Sequence, residues 1–207
     1  MKKTYSVEFI KANCGCYENH QFAIQEDNRY KELKKAFLDN KKTFDNDAII
    51  TANDILNSLI PLKDKYWFFI KRVFNNQQNK TIALAIAETV YPIYENNNPN
   101  NNVIKYYIQM SKLYVDQGLT PPDFNMSEFY DAIFHNVGNK YRDAAYAAAD
   151  AVEGAYNDKH SDVNHHAFLT ANYAITSAIK TYENAEGNYI QPLTNLLTTF
   201  VKQADET

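Results

Sequence analysis

Five side chains of types that bind metal ions fall within nine consecutive residues of the sequence. They are Asp158, His160, Asp162, His165 and His166. Imidazole nitrogens and carboxylate oxygens are suitable ligands for zinc or iron. An all-helical enzyme or metal-binding protein that uses this segment is therefore one hypothesis for the chain.

A simpler interpretation assigns the same segment to a loop followed by a helix. Asp162 precedes a run of helical spacing, where a carboxylate accepts hydrogen bonds from backbone N–H groups and is favoured by the helix dipole. The sequence has no distant Glu/His pair that matches the inward-facing ligands of di-iron bundles. We therefore predict no metal and no cofactor, and keep His160, Asp162, His165 and His166 as the candidates if a metal is bound.

The familiar catalytic motifs are missing from the sequence. It contains no phosphate-binding glycine loop, no dinucleotide fingerprint, no His-Glu-x-x-His and no Gly-x-Ser-x-Gly. Glycine occurs only 5 times, which also disfavours glycine-rich loops and turn-dense sandwiches. We predict no catalytic residues and a protein that is not an enzyme.

Tyrosine, with 16 residues, offers a second candidate site. The tyrosines concerned are Tyr91, Tyr94, Tyr106, Tyr107, Tyr114, Tyr130, Tyr141, Tyr146 and Tyr156. Such side chains can be core aromatics whose hydroxyls reach the surface, anchors of a protein-binding face, or the lining of a ligand cleft. We rank the core first, the partner surface second and the ligand cleft third.

Charge and targeting signals narrow the class of protein. The net charge of −4 is unfavourable for duplex binding, which depends on cation–phosphate contacts, so no nucleic-acid partner is expected. No stretch approaches the roughly 20 apolar residues of a membrane span, and residues 4–10 are too short for a signal peptide. We predict a cytoplasmic protein without a membrane partner, with Cys14 and Cys16 as reduced, dispensable thiols.

Apolar spacing predicts helices along most of the chain. Helical spacing runs from Asp47 to Leu59, and Pro61 suits the first turn of the next helix. Further helices are predicted over 79–95, where Pro92 should kink or end the helix, from Val103 to Gly118, over 142–156, over 162–182 and over 189–204. The Asn clusters at 75–79 and 96–102 are interpreted as loops, because Asn favours caps and turns. Residues 5–10 show a short alternation that suits a strand.

These elements predict an all-α fold. We expect one domain over 1–207, a bundle of antiparallel helical hairpins with seven to nine helices, in which residues 1–26 are the least clearly assigned segment. The alanine run of 144–155 should be a buried helix packed closely on 162–182, because small side chains let a neighbouring helix approach.

Residues 84–95 (LAIAETVYPIYE), followed by the Asn/Pro turn at 98–102, resemble a bacterial family. It is the all-helical Imm5 family of immunity proteins, encoded beside polymorphic toxins, whose members carry an Ala-Glu-x-Val-x-Pro-hydrophobic-aromatic-Glu helix. The alanine-rich pair of segments at 144–155 and 165–178 is similar to a later part of that family. The resemblance covers 80–182, and the chain departs from the family at 103–105, where Val-Ile-Lys stands in place of Arg-Pro-Arg.

The resemblance implies an all-α bacterial protein that binds and neutralises a cognate toxin domain by stoichiometric contact. It carries over no catalytic residue, and it leaves the binding residues and the oligomeric state open. Two alternatives remain, an all-helical enzyme or ligand-binding protein that uses the His160–His166 loop or the tyrosines, and a helical scaffold for several partners.

Overall fold

Helices make up 84 % of the residues that the computed structural model describes, so the predicted all-α fold is confirmed. The described residues are 4–6, 49–58, 61–96, 98–99, 102–119, 126–134, 142–156, 163–184 and 190–206. They contain eight helices and two short strands, in agreement with the predicted seven to nine helices.

The elements follow one another along the chain as two strands and then helices only. The strands are β1 (Thr4–Ser6) and β2 (Ile49–Thr51). The helices are α1 (Ala52–Leu56), α2 (Leu62–Arg72), α3 (Asn76–Glu95), α4 (Val103–Asp116), α5 (Met126–Phe134), α6 (Arg142–Tyr156), α7 (Val163–Asn184) and α8 (Gln191–Glu206). Among these helices, none has the length and apolar character needed to cross a membrane.

Packing divides the chain into two compact units. The first joins Met1–Val73 to Thr198–Thr207, and the second is Phe74–Leu197. The range 80–182, where the immunity-family resemblance lies, falls within the second unit. One domain over 1–207 stays a prediction.

In the first unit, β1 and β2 form an antiparallel pair. The paired residues are Thr4 with Thr51, Tyr5 with Ile50, and Ser6 with Ile49. The predicted helical spacing from Asp47 is wrong for residues 49–51. The β-branched run Ile-Ile-Thr pairs there as a strand, and the helix starts only at Ala52.

Local side chains set the ends of α1. Thr51 caps its start: the Thr51 hydroxyl accepts from the backbone N–H of Asp54, and the Asp54 carboxylate accepts from the backbone N–H of Thr51. At its other end, the Lys65 ammonium of α2 donates to the carbonyl of Leu56 at 2.6 Å. Burial lowers the pKa of Lys65.

Helix α2 is enclosed on all sides near its middle. Five consecutive residues, 66–70 (YWFFI), are buried, which a helix with a single apolar stripe does not show. Phe68 meets the ring of Tyr5 edge-on, with the centroids 5.3 Å apart. The first unit is therefore built on an aromatic core.

Helix α6 is central to the second unit. It packs most extensively on α7, and also contacts α3, α4 and α5, while α3 and α7 pack on each other. Seven alanines of α6 are buried: Ala144, Ala145, Ala147, Ala148, Ala149, Ala151 and Ala155. The predicted buried alanine helix packed on the 162–182 segment is confirmed.

Replacing Ala148 with Leu should lower the free energy of unfolding by about 1–3 kcal/mol, because extra methyl groups overpack a close helix contact. Ala148 has 0 % exposed surface. Urea unfolding followed by circular dichroism measures the effect, and Lys180→Leu, at an exposed position of α7, is the control. An unchanged unfolding free energy for Ala148→Leu would contradict close packing of α6.

One sequence expectation for α3 is wrong in detail. The helix begins at Asn76 and not at Asn79, because Asn75 and Gln78 form a reciprocal capping box with hydrogen bonds of 2.9 Å. Of the two effects predicted for Pro92, a kink or an end, it does not end the helix, which continues to Glu95. Pro92 lies in the last helical turns with its ring exposed, so the missing N–H affects only the end of the helix.

Candidate protein-binding site

Exposed large apolar side chains are concentrated around α4. Among the described residues, five are exposed, and three of them belong to this region: Tyr106 (56 %), Leu113 (51 %) and Leu119 (53 %). Single exposed apolar residues are common on proteins, whereas neighbouring ones identify a candidate interaction surface.

The exposed residues of α4 share one side of the helix. They recur every three to four residues, which places them along a single stripe. We call this stripe the α4 face, formed by Asn102, Tyr106, Gln109, Leu113, Asp116 and Gln117. It presents two apolar anchors, Tyr106 and Leu113, separated by Gln109.

The opposite side of α4 holds the helix in the second unit. Ile104, Tyr107, Ile108 and Val115 are buried there, against α3, α6 and α5. These buried residues recur at helical spacing, so α4 is amphipathic. Their packing fixes the position of the exposed face.

Edge-on aromatic contacts support Tyr106 from beneath. Its ring lies 5.4 Å from that of Tyr107, and the Tyr107 ring lies 5.0 Å from that of Phe129 in α5. Such pairs contribute about 0.5–1.5 kcal/mol beyond their buried area. Tyr106 is therefore half exposed yet held in place, so it loses little conformational entropy when a partner covers it.

Two ion pairs join α4 to α3 beside the α4 face. Lys105 contacts Glu95, and Lys112 contacts Glu88, each with nitrogen and oxygen 2.7 Å apart. The four side chains are 36–45 % exposed, so each pair adds little stability. Their effect on the site is to neutralise the lysine charges next to both anchors.

Tyr91 of α3 lies beneath one of these pairs. The Lys105 ammonium is 5.9 Å from the centre of its ring, a weak cation–π contact. Burial first, and then the negative charge of Glu95, raise the pKa of Tyr91 to about 12. The Tyr91 hydroxyl therefore stays neutral at physiological pH.

The two ends of α4 differ in how they are capped. At the start, the Asn102 side chain makes no capping hydrogen bond, and the first turn has no acidic residue. At the end, Gly118 adopts φ +67°, and the N–H groups of Gly118 and Leu119 donate to the carbonyls of Val115 and Tyr114. This Schellman motif stops the helix where the α4 face ends, and the predicted end of the helix at Gly118 is confirmed.

A second cluster with unusual chemistry lies between α5 and α6. The Tyr130 hydroxyl of α5 donates to the Glu153 carboxylate of α6 at 2.9 Å. Asp150, three residues before Glu153, shares its side of the helix and is partly buried. Burial first, and then the charge of Glu153, raise the pKa of Asp150 to about 7.

We call Tyr130, Asp150 and Glu153 the acid cluster. The raised pKa of Asp150 lies near neutral pH. Burial, the hydrogen bond to Glu153 and both carboxylates raise the pKa of Tyr130, which keeps its proton. No group of three His, Cys, Asp or Glu side chains that could hold a metal ion occurs in the described part of the chain. Sequence reasoning missed this cluster, although two acids three residues apart in an alanine helix were a usable signal.

The side chains of the candidate metal ligands are not among those that the structure describes. Asp158, His160 and Asp162 lie outside the described residues. His165 and His166 belong to α7, described there by their backbone alone. Cys14 and Cys16 are also outside the described residues.

The candidate tyrosines separate into different environments. Tyr91, Tyr94 and Tyr107 are buried, while Tyr106 is exposed. Partly buried positions are Tyr114, Tyr130 and Tyr146. Tyr141 lies outside the described residues, and Tyr156 is described by its backbone alone. Most of the described ones thus contribute to packing, and Tyr106 is the one available to a partner on α4.

Comparison with protein-family models, with curated proteins and with solved structures finds no match.

Proposed function

We propose that this protein is an immunity protein that acts in the bacterial cytoplasm, where it binds and neutralises a toxin domain encoded beside it. The α4 face is the docking surface in this proposal. The observation that carries it is the exposure of Tyr106 and Leu113 on one fixed helix face. Stoichiometric binding requires no catalytic residues.

The anchors have the properties of a binding hot spot. Tyr106 and Leu113 are two helical turns apart, a separation of about 10 Å along the axis. Helix-in-groove recognition uses apolar anchors at this spacing. The ring contacts of Tyr106 limit the entropy lost on binding. Gln109, between the anchors, and Gln117, at the end of the face, can donate and accept hydrogen bonds.

The partner suited to this surface has an apolar groove within a basic surface. Glu88 and Glu95 already neutralise the lysines beside the anchors. A groove whose centre is uncharged therefore fits the two anchors. The net charge of −4 attracts a basic domain at longer range, as in many nuclease toxins, and raises the association rate.

Co-expression with the C-terminal domain of the adjacent gene tests the proposal. The wild-type protein should rescue growth and form a 1:1 complex. Leu113→Lys should weaken that complex about 30-fold or more, because loss of a hot-spot anchor costs at least about 2 kcal/mol. Tyr173→Lys is the matched control, since Tyr173 is equally exposed (52 %) but lies on α7.

Three outcomes would contradict the proposal. One is an adjacent gene that encodes no toxin. Another is equal binding by Leu113→Lys and the wild type, which would remove the α4 face from the interface. The third is turnover of a small molecule, or stoichiometric metal after purification, that depends on His160, His165 or His166, which would favour the enzyme hypothesis.

A further inference from the structure

We infer that a second copy of this chain covers the α4 face when no toxin is bound. The contact is an antiparallel pairing of two α4 helices about a two-fold axis between Gln109 and Met110. The dimer itself is argued from the geometry and the charges of the α4 face. That the dimer covers this face until a toxin binds rests on the proposed function.

The spacing of the anchors is self-complementary in this register. Tyr106 and Leu113 are equally far from the midpoint of 109 and 110, in opposite directions. A two-fold axis there sets Tyr106 of each copy against Leu113 of the other, so the same apolar contact forms twice. Each aromatic ring gains an aliphatic neighbour, and both anchors leave water.

Charge at the ends of α4 favours the same antiparallel arrangement. Asp116 is exposed at the C-terminal end, and the pairing brings it to the first turn of α4 in the second copy. That first turn carries no acidic residue, and the carboxylate there faces the positive end of the helix dipole. A parallel pairing would instead bring the two Asp116 carboxylates together.

The flanking charges do not oppose the contact. Lys105 and Lys112, next to the two anchors, are paired with Glu95 and Glu88 at 2.7 Å. Two copies therefore meet without lysine–lysine repulsion across the α4 face. The overall charge of −4 on each copy is repulsive only at longer range and is screened at physiological salt.

The length of α4 makes this dimer weak and reversible. Its 14 residues span about 21 Å, and one helix face of that length covers less than the ~800 Å² per partner that a stable interface needs. A toxin domain that covers α4 and its surroundings would displace the second copy. The dimer thus shields the apolar anchors without blocking neutralisation.

Analytical ultracentrifugation of the purified chain, without toxin, tests the inference. The wild type should pass from monomer to dimer as concentration rises, and Leu113→Lys should stay monomeric throughout. Tyr173→Lys should dimerise like the wild type, although it also places a lysine at an exposed apolar position. A monomeric wild type, or equal dimerisation of Leu113→Lys, would overturn the inference, and unchanged circular dichroism would show that each variant is folded.

Single cysteines test the register, in a chain that carries Cys14→Ser and Cys16→Ser. Gln109→Cys lies beside the axis and should form an intermolecular disulfide on mild oxidation. Gln117→Cys should not, because in the antiparallel register it lies about 20 Å from its counterpart, too far for a disulfide. A bridge at 117 would indicate a parallel pairing, in which each residue lies beside its counterpart, and would overturn the proposed arrangement.

The outcomes separate this inference from the proposed function. If the wild type is monomeric but still binds the toxin through α4, the dimer is contradicted and the proposed neutralisation is not. If the wild type dimerises but the neighbouring gene encodes no toxin, the immunity role is contradicted and the dimer interface is not. Conversion of the dimer to a 1:1 complex on adding the toxin domain supports both.

Discussion

Replacing Asp150 with Asn is expected to raise the free energy of unfolding at pH 8 by up to about 4 kcal/mol. The pKa of Asp150 rises from 3.8 to about 7 on folding, through burial and the charge of Glu153. Each unit of difference corresponds to about 1.4 kcal/mol, so the ionised carboxylate destabilises the fold substantially. Asn keeps the shape of the side chain and removes the charge.

The sign and the pH window follow from the two pKa values. Below pH 4 the carboxyl is protonated in the folded and the unfolded chain, and it has no effect on stability. Between pH 4 and 7 the unfolded chain ionises while the folded site resists, so stability falls as pH rises. Above pH 7 the penalty is complete, and the advantage of Asp150→Asn is greatest.

Urea unfolding at pH 5, 6, 7 and 8 measures this effect as the difference between Asp150→Asn and the wild type. All other groups are the same in both proteins, so the difference isolates Asp150. Glu183→Gln is the control, because Glu183 is exposed on α7 and does not belong to the α4 face. A stability difference that stays constant from pH 5 to pH 8 would contradict the raised pKa of Asp150.

Replacing Phe129 with Ala is expected to lower the free energy of unfolding by about 3–5 kcal/mol. Phe129 has 0 % exposed surface and meets Tyr107 edge-on, so the change removes both buried area and an aromatic contact. The short helix α5 contacts α4 and α6, and it would lose a fully buried aromatic side chain. Urea unfolding measures the stability, and amide hydrogen exchange reports the loosening of α5.

Ser127→Ala is the matched control for Phe129→Ala. Ser127 is exposed on the same helix, so its replacement should leave stability nearly unchanged. Because Tyr107 supports Tyr106, Phe129→Ala should also weaken binding at the α4 face, whereas Ser127→Ala should not. Equal stability of the two variants would show that α5 does not depend on Phe129.

Some features of this protein could be predicted from the sequence, because they depend on neighbours a few residues apart. Helical spacing predicted the all-α fold, and Gly118 marked the end of α4 through its positive φ. The alanine run predicted the buried helix α6, since small side chains on every side suit close packing. Local competition explains two errors, the strand pairing of 49–51 and the capping box that starts α3 at Asn76.

The exposure of Tyr106 and the raised pKa of Asp150 were decided by the tertiary structure alone. Apolar spacing includes Tyr107 and Leu113 in the stripe of this helix, yet packing of α4 buries the Tyr107 ring and leaves Leu113 51 % and Tyr106 56 % exposed. Helical spacing makes Asp150 and Glu153 neighbours, but the pKa of Asp150 is raised because tertiary packing buries its carboxyl beside the Glu153 charge. Exposure and pKa depend on contacts between distant segments, and helical periodicity carries no information about which segments meet.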